Sequence, residues 1–293
     1  MTSCWLRMLK RKFGWTNIDV PVIGMGTWEI EGSSHAANLL AIEALQLGLD
    51  LGMTHIDTAE MYGNGLVEKL VAKAIVDRRN EIFLVSKVWP SHASYEGTIK
   101  ACKQSLERLK TDWIDLYLLH WPTSRYPINE TMRAMERLVE EGRIKFIGVS
   151  NFDVQRLEAA EQALSSHRIA CNQVQYNLNN RSIEQELLPF CSKRQIAIVG
   201  YSPFSHGNLP SPDSKGGNVL VRVAHEHGRT IRQVILKFLT RDPNIFTIPK
   251  AGRPGHVREN SGALEAWNLT DDDINALDHA FPVSQNSWSL EMV

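Results

Sequence analysis

Ile114-Asp115-Leu116-Tyr117-Leu118-Leu119-His120 is a short apolar run that closes on an imidazole, and the helix-period stretch Ile128 to Glu140 follows it. A run this short, apolar at both alternating sets of positions, reads as a strand buried on both faces, as in parallel sheets. The same unit recurs in both directions. Upstream lie the runs Ile82 to Lys87, His55 to Thr58 and Val22 to Thr27, followed by the amphipathic stretches Thr98 to Leu109, Val67 to Val76 and Leu39 to Leu47. Downstream lie Ile144 to Ser150, Cys171 to Tyr176, Ile196 to Tyr201 and Ile245 to Lys250. Their helices are predicted over Val154 to Leu164, Ile183 to Ser192, and the pair Val219 to Glu226 and Ile231 to Thr240.

Eight strand–helix units without a composition break predict an α/β chain folded as a single (β/α)8 TIM barrel over residues 13–293. An open doubly wound sheet is the runner-up. Val20 to Glu29 is expected to contribute a β-hairpin that plugs the barrel bottom, and residues 1–12 a disordered N-terminal extension. Regular patterning begins near Phe13, which makes Met8 a candidate native start. Ser205 to Asn218, rich in Gly, Ser and Pro, reads as a long loop after the seventh strand, on the face where loops carry function. A last helix is predicted over Asp271 to His279, entered through a capping box of Thr270 and Asp273.

Composition narrows the function classes. The 293 residues are 43% hydrophobic and 22% charged, a globular balance, and 32 Lys and Arg against 33 Asp and Glu leave a net charge of −1. Such a chain has no field to draw in nucleic acid or anionic lipid, so neither partner is expected. No run approaches the ~20 apolar residues of a membrane helix. Cys4, Cys102, Cys171 and Cys191 show neither zinc-ligand nor disulfide spacing, and the basic start at Arg7, Lys10, Arg11 and Lys12 leads into no secretory signal. A cytoplasmic location is expected.

In a barrel of this kind chemistry sits at the C-terminal ends of the strands. Those ends are polar here: Asp57, Lys87, His120, Ser150 and Asn151, Gln173 and Gln175, Tyr201 and Ser202, and Lys250. The intervals from 57 to 87, 87 to 120 and 120 to 150 are 30, 33 and 30 residues, one unit each, so these side chains converge on one mouth. Taken singly, Asp57 reads as a turn cap, Lys87 as a solvated rim residue and His120 as a core histidine. Together, a Lys and an Asp in one mouth should pair, because a buried unpaired charge costs several kcal/mol. Tyr62 follows Asp57 by five residues in a loop where Gly63 and Gly65 permit a tight return. The neighbouring ammonium is expected to lower its pKa and make it a general acid near neutral pH. His120 would direct the same substrate oxygen. The four form a carbonyl-protonating site without a metal.

From about Phe13 to Pro282 the sequence closely resembles the aldo-keto reductase family. The resemblance is carried by Gly24-Met25-Gly26-Thr27-Trp28, Ile56-Asp57-Thr58-Ala59-Glu60-Met61-Tyr62-Gly63, Val85-Ser86-Lys87-Val88-Trp89, Asp115 to Pro122, Gly148-Val149-Ser150-Asn151-Phe152, Asn172-Gln173-Val174-Gln175-Tyr176-Asn177 and Tyr201-Ser202-Pro203-Phe204. It implies that Asp57, Tyr62, Lys87 and His120 are the catalytic tetrad, and that NADP(H) lies extended across the barrel mouth without a Gly-x-Gly-x-x-Gly fingerprint. By the same resemblance Ser150, Asn151 and Gln173 hold the carboxamide and Tyr201 stacks on the nicotinamide. Ser202, Pro203, Phe204 and the following loop cover the pyrophosphate, Lys250 meets the adenosine phosphate, and Glu259 and Asn260 meet the adenine. Gly26, Thr27, Trp28, Ile248 and Pro249 complete the cofactor set.

Two positions depart from the pattern of strongly NADPH-selective members. Ala251 stands where they carry Ser and His256 where they carry Arg, with Arg253 or Arg258 left to supply a guanidinium. NADPH with a weakened preference is expected, and NAD(H) is a second candidate. The short Trp121 to Ile128 loop and the few residues after Pro282 imply an open pocket lined by Trp28, Trp89 and Trp121, suited to small aldehydes, ketones and dicarbonyls. Their plainer reading is barrel-rim packing. A monomer is expected.

Three other readings compete. A Schiff-base barrel would use Lys87 as nucleophile, but Asp57 and Tyr62 would keep it charged. A metal hydrolase could draw on His55, Asp57 and His120. A nicotinamide-binding regulatory subunit without strong catalysis is the third.

Overall fold

The computed structural model describes residues 9–283. Its N-terminal hairpin pairs β1 (Lys10–Lys12) antiparallel with β2 (Asp19–Pro21). There follow β3 (Met25–Gly26), α1 (His35–Asp50), β4 (His55–Asp57), α2 (Leu66–Ala74), β5 (Phe83–Val88), α3 (Tyr95–Leu109), β6 (Ile114–Leu119) and α4 (Ile128–Glu140). The second half comprises β7 (Ile144–Ser150), α5 (Val154–Gln162), β8 (Ile169–Gln175), α6 (Leu187–Arg194), β9 (Ala197–Tyr201), α7 (Lys215–Glu226), α8 (Ile231–Leu239), β10 (Ile245–Thr247), α9 (Pro254–Ser261) and α10 (Asp271–Ala280).

Strands β3 to β10 lie in chain order, each parallel to the next. The two edges meet. Gly24 donates its N–H to Thr247 O at 2.8 Å, Thr247 to Val22 O at 2.9 Å, and Ala251 to Gly26 O at 3.0 Å. The sheet therefore closes, as the eightfold repeat predicts. Gly26 is required at this seam, because a Cβ there would sit 2.5 Å from the Ile248 carbonyl oxygen. Every residue of β5 and β6 is buried, which is why both runs are mostly apolar, and their polar members Ser86, Lys87 and Asp115 each bond to a side-chain partner.

The hairpin is present but lies earlier than expected. Lys10–Lys12 belong to it, so of the predicted extension residues 1–8 lie outside the described residues, and residues 10–12 are a strand. Phe13, at its turn, is fully buried against Phe83 and Phe246, with both ring centroids at 4.9 Å, and meets His55 at 6.3 Å. Phe83 and His55 open β5 and β4 and Phe246 is the second residue of β10, so the hairpin plugs the N-terminal end of the barrel. The open mouth is the C-terminal end.

Other boundaries differ for local reasons. The helix expected from Ile183 starts at Leu187, because Pro189 is tolerated only in a first turn. Lys215 to Asn218 join α7 through the Ser214 cap instead of extending the loop. Thr270 and Asp273 form the expected capping box. Helix α9 was not expected, since Val257 is its lone large apolar residue, although Pro254 in its first turn is a helix-start signal.

Candidate active site

Lys87 lies at the centre of the mouth. Burial leaves none of its side chain exposed, and all three ammonium protons are used: Nζ donates to Asp57 Oδ1 at 2.5 Å, Thr58 O at 2.9 Å and Tyr62 Oη at 3.2 Å. The other Asp57 oxygen accepts from Gln173 Nε2 at 2.7 Å, across the barrel from β8. Burial alone would lower the Lys87 ammonium, but Asp57 and Tyr62 more than offset it and keep it above its ordinary range. Lys87 is thus held charged, which removes the nucleophile a Schiff-base mechanism needs.

Tyr62 is followed by three consecutive left-handed residues, Gly63, Asn64 and Gly65, at φ 53°, 50° and 84°. They turn the chain sharply into α2 and leave the phenol over the mouth, as the glycines predict. Its acidity differs from the expectation. Burial raises the phenol pKa above its usual value, with Lys87 pulling against that rise and Asp57 adding to it. The phenol is therefore fully protonated at neutral pH.

His120 follows β6 and packs face to face on Trp121 at 3.8 Å, with Tyr62 and Trp89 edge-on at 5.7 and 6.1 Å. Burial, reinforced by the Lys87 charge, drives its pKa well below the ordinary imidazole value, so the ring is neutral. Its Nδ1 is buried without a hydrogen-bond partner.

These groups open onto a cleft of about 1080 Å³ that runs across the mouth. Asp57, Tyr62 and His120 line it together with Trp28, Trp89 and Trp121, and Trp89 meets Trp121 edge-on at 5.5 Å. Gly26, Thr27, Ser150, Asn151, Gln173, Tyr201, Ser202, Pro203 and Phe204 line it further along, then Ile248, Lys250, His256 and Asn260. Ser150, Asn151 and Tyr201 are already joined: Asn151 Nδ2 donates to Ser150 Oγ at 3.1 Å, and Tyr201 Oη donates to Asn151 Oδ1 at 2.9 Å. Asn260 Oδ1 is buried with no hydrogen bond, an acceptor available to a ligand donor.

Four predicted residues do not line the cleft. Lys87 lies behind Asp57 and Tyr62. Pro249 and Ala251 form the seam of the barrel through main-chain bonds to Gly26. Glu259 gives its carbonyl oxygen to Gln233 Nε2 at 2.9 Å, and its carboxylate faces Arg232 at 3.7 Å. Of the two spare arginines, Arg253 lines the cleft and Arg258 does not.

The sequence reading missed several contributors. Arg232 lies over the Phe204 ring at 4.6 Å, and His206, within the Ser205 to Asn218 loop expected over the pyrophosphate but not singled out in it, meets Trp28 edge-on at 5.4 Å. Glu60 Oε1 accepts from Trp89 N at 2.6 Å and contacts His92 Nδ1 at 3.0 Å, tying the Tyr62 loop to the loop after β5. An acid inside the Asp57 to Gly63 motif was a visible signal for the last. Among the described residues no three His, Cys, Asp or Glu gather as a metal site, and no helix is long and apolar enough to cross a membrane.

The chain is similar to known proteins over nearly its whole length. Residues 22–281 match the model of the aldo/keto reductase family. Methylglyoxal reductase YeaE of Escherichia coli (strain K12) is 38% identical over 94% of this chain and 96% of its own length. Glyoxal reductase of Bacillus subtilis (strain 168) is 32% identical over 89% of each. The crystal structure of an aldo/keto reductase from Klebsiella pneumoniae in complex with NADP and acetate superposes with a TM-score of 0.89 at 38% identity, covering 97% of this chain and 99% of that one.

Proposed function

Because the chain belongs to the aldo/keto reductase family, we propose that it reduces small aldehydes, dicarbonyls and ketones to alcohols with NADPH. One observation carries the reading: a fully buried ammonium, Lys87, bridges Asp57 and the phenol of Tyr62 beside a neutral imidazole. A nicotinamide cofactor, when bound, supplies the hydride to the carbonyl carbon.

The residues of the chain do the rest. Tyr62 gives its proton to the carbonyl oxygen as negative charge develops there, a role worth about 10² to 10⁴ in rate. The Lys87 hydrogen bond stabilises the phenolate left behind, and Asp57 fixes Lys87. Neutral His120 orients the carbonyl oxygen without competing for the proton. Trp28, Trp89 and Trp121 wall the substrate end, which suits small carbonyl compounds.

The cleft fits an extended dinucleotide. Its polar floor of Ser150, Asn151 and Gln173 would hold the carboxamide, Tyr201 would stack on the ring, and Ser202 to Phe204 would cover the pyrophosphate. Lys250 and Arg253 offer cationic groups to the adenosine phosphate, with His256 lining the cleft beside them, and the unpartnered Asn260 oxygen suits an adenine amino group. Support also comes from the bound NADP of the Klebsiella pneumoniae enzyme and the dicarbonyl substrates in the names of the two relatives. With Ala251 in the seam and no arginine at position 256, NADPH preference is expected to be weak, with NADH as second donor.

The test is loss of reduced-nicotinamide absorbance when the purified chain meets methylglyoxal, glyoxal and simple aldehydes. Turnover faster with NADPH than NADH supports the reading; no turnover with either across the panel removes it.

A further inference from the structure

Lys250 does not stand alone at its end of the cleft. The carboxylate of Glu29 faces its ammonium at 3.7 Å, with the two side chains 62% and 53% exposed. Glu29 lies on the loop after β3 and Lys250 just beyond β10, so the pair joins the two elements that meet at the barrel seam. We infer that Glu29 competes with the cofactor's adenosine phosphate for Lys250, and so sets the choice between phosphorylated and unphosphorylated nicotinamide dinucleotides. The inference rests on the cofactor reading given above.

The backbone fixes the position of this carboxylate. Glu29 has φ 54°, a left-handed conformation that a residue with a Cβ adopts rarely, and its neighbour Trp28 is seated edge-on against His206 of the loop after β9. Both Glu29 and Lys250 line the same cleft, together with Arg253, His256 and Arg232. Arg232 also faces a carboxylate, that of Glu259. The cations at this end are therefore partly neutralised by the chain's own acids.

A 2′-phosphate brings about two negative charges to this end. It must take Lys250 from Glu29 and then lie beside a free carboxylate. An unphosphorylated ribose brings no charge, so the Glu29–Lys250 pair persists beside it, and its hydroxyl groups can donate to the carboxylate. Glu29 thus penalises the phosphorylated cofactor selectively. Both partners are half exposed and screened by salt, so the effect is a few-fold change in affinity.

The test is isothermal titration of the full chain with NADP⁺ and NAD⁺, and with 2′,5′-ADP and 5′-AMP as probes of the adenosine end. Glu29→Gln keeps the side-chain shape and removes the charge. It is expected to tighten NADP⁺ and 2′,5′-ADP by about three- to fivefold while NAD⁺ and 5′-AMP stay within about twofold. In a Lys250→Met background the same change should lose most of its effect, because the two residues act through each other. Equal shifts for phosphorylated and unphosphorylated ligands, or no shift at all, would overturn the role of Glu29. A wild-type chain that binds neither dinucleotide would overturn the cofactor reading itself, and this inference with it.

Discussion

Lys87 Nζ lies 2.5 Å from Asp57 Oδ1, with both side chains shut away from solvent at the C-terminal ends of adjacent strands. A pair this deep is costly to break and not costly to lack, since removing one partner strands the other charge for about 3–5 kcal/mol. Lys87→Met alone should therefore lower the denaturant midpoint strongly. The double variant Asp57→Leu with Lys87→Met should recover much of the loss without recovering activity. A double variant as unstable as the single one would show that the charges are not what the fold opposes.

Tyr62→Phe removes the proton donor and keeps the ring. Turnover should fall by about 10² or more while the dissociation constant for NADPH stays nearly unchanged. Retained turnover would take the proton-donor role away from Tyr62.

Glu60→Ala leaves the Trp89 N–H without its acceptor and detaches the Tyr62 loop from the loop after β5. A stability loss of about 1–3 kcal/mol is expected, with reduced kcat/KM. Glu60→Gln, which keeps an acceptor oxygen, should restore most of both. If the alanine variant matches the wild type in melting temperature and kinetics, the bridge is ornamental.

Stability should depend on pH below neutrality. His55 is held down to about 3 by burial, with a further push from Lys87, and His120 is likewise well below its ordinary value. The unfolded chain takes up these protons near pH 6.5, while the folded chain does not. For His55 the stabilisation is complete above about pH 6.5 and is lost progressively as pH falls toward 3, by roughly 1 kcal/mol between pH 7 and 5.5, and His120 acts in the same direction. His55→Leu should flatten the slope by one proton. An unchanged slope in that variant would contradict the buried neutral state of His55.

Much of this molecule was legible in its sequence because strand burial and strand ends leave direct marks. Apart from Asp115, which pairs with Arg79 and Lys145, the run Ile114 to Leu119 is apolar because helices cover one face and the barrel interior the other, and the polar residue after it falls at the mouth. Convergence of Asp57, Lys87 and His120 followed from one-unit spacing. What escaped has physical reasons too. The hairpin Lys10–Lys12 with Asp19–Pro21 is short and mostly polar, and Phe13 alone betrays its plug. Helix α9 buries only three side chains, so it has almost no apolar stripe. The weak acidity of Tyr62 is not legible because a neighbouring cation is visible in sequence order, whereas the depth of burial that outweighs it is not. Arg232, His206 and Glu29 come from three separate loops and helix starts, and only closure of the barrel brings them to one cleft.

The most direct test of carbonyl reduction follows the transferred atom. Purified chain is incubated with methylglyoxal and NADPH carrying deuterium at the transferring C4 position, and the product alcohol is examined by mass spectrometry, with Tyr62→Phe in parallel. Deuterium on the former carbonyl carbon with the wild type, and loss of at least about 99% of product with the variant, is the expected result. Product without deuterium, or equal product from both proteins, would contradict hydride reduction with Tyr62 as the acid.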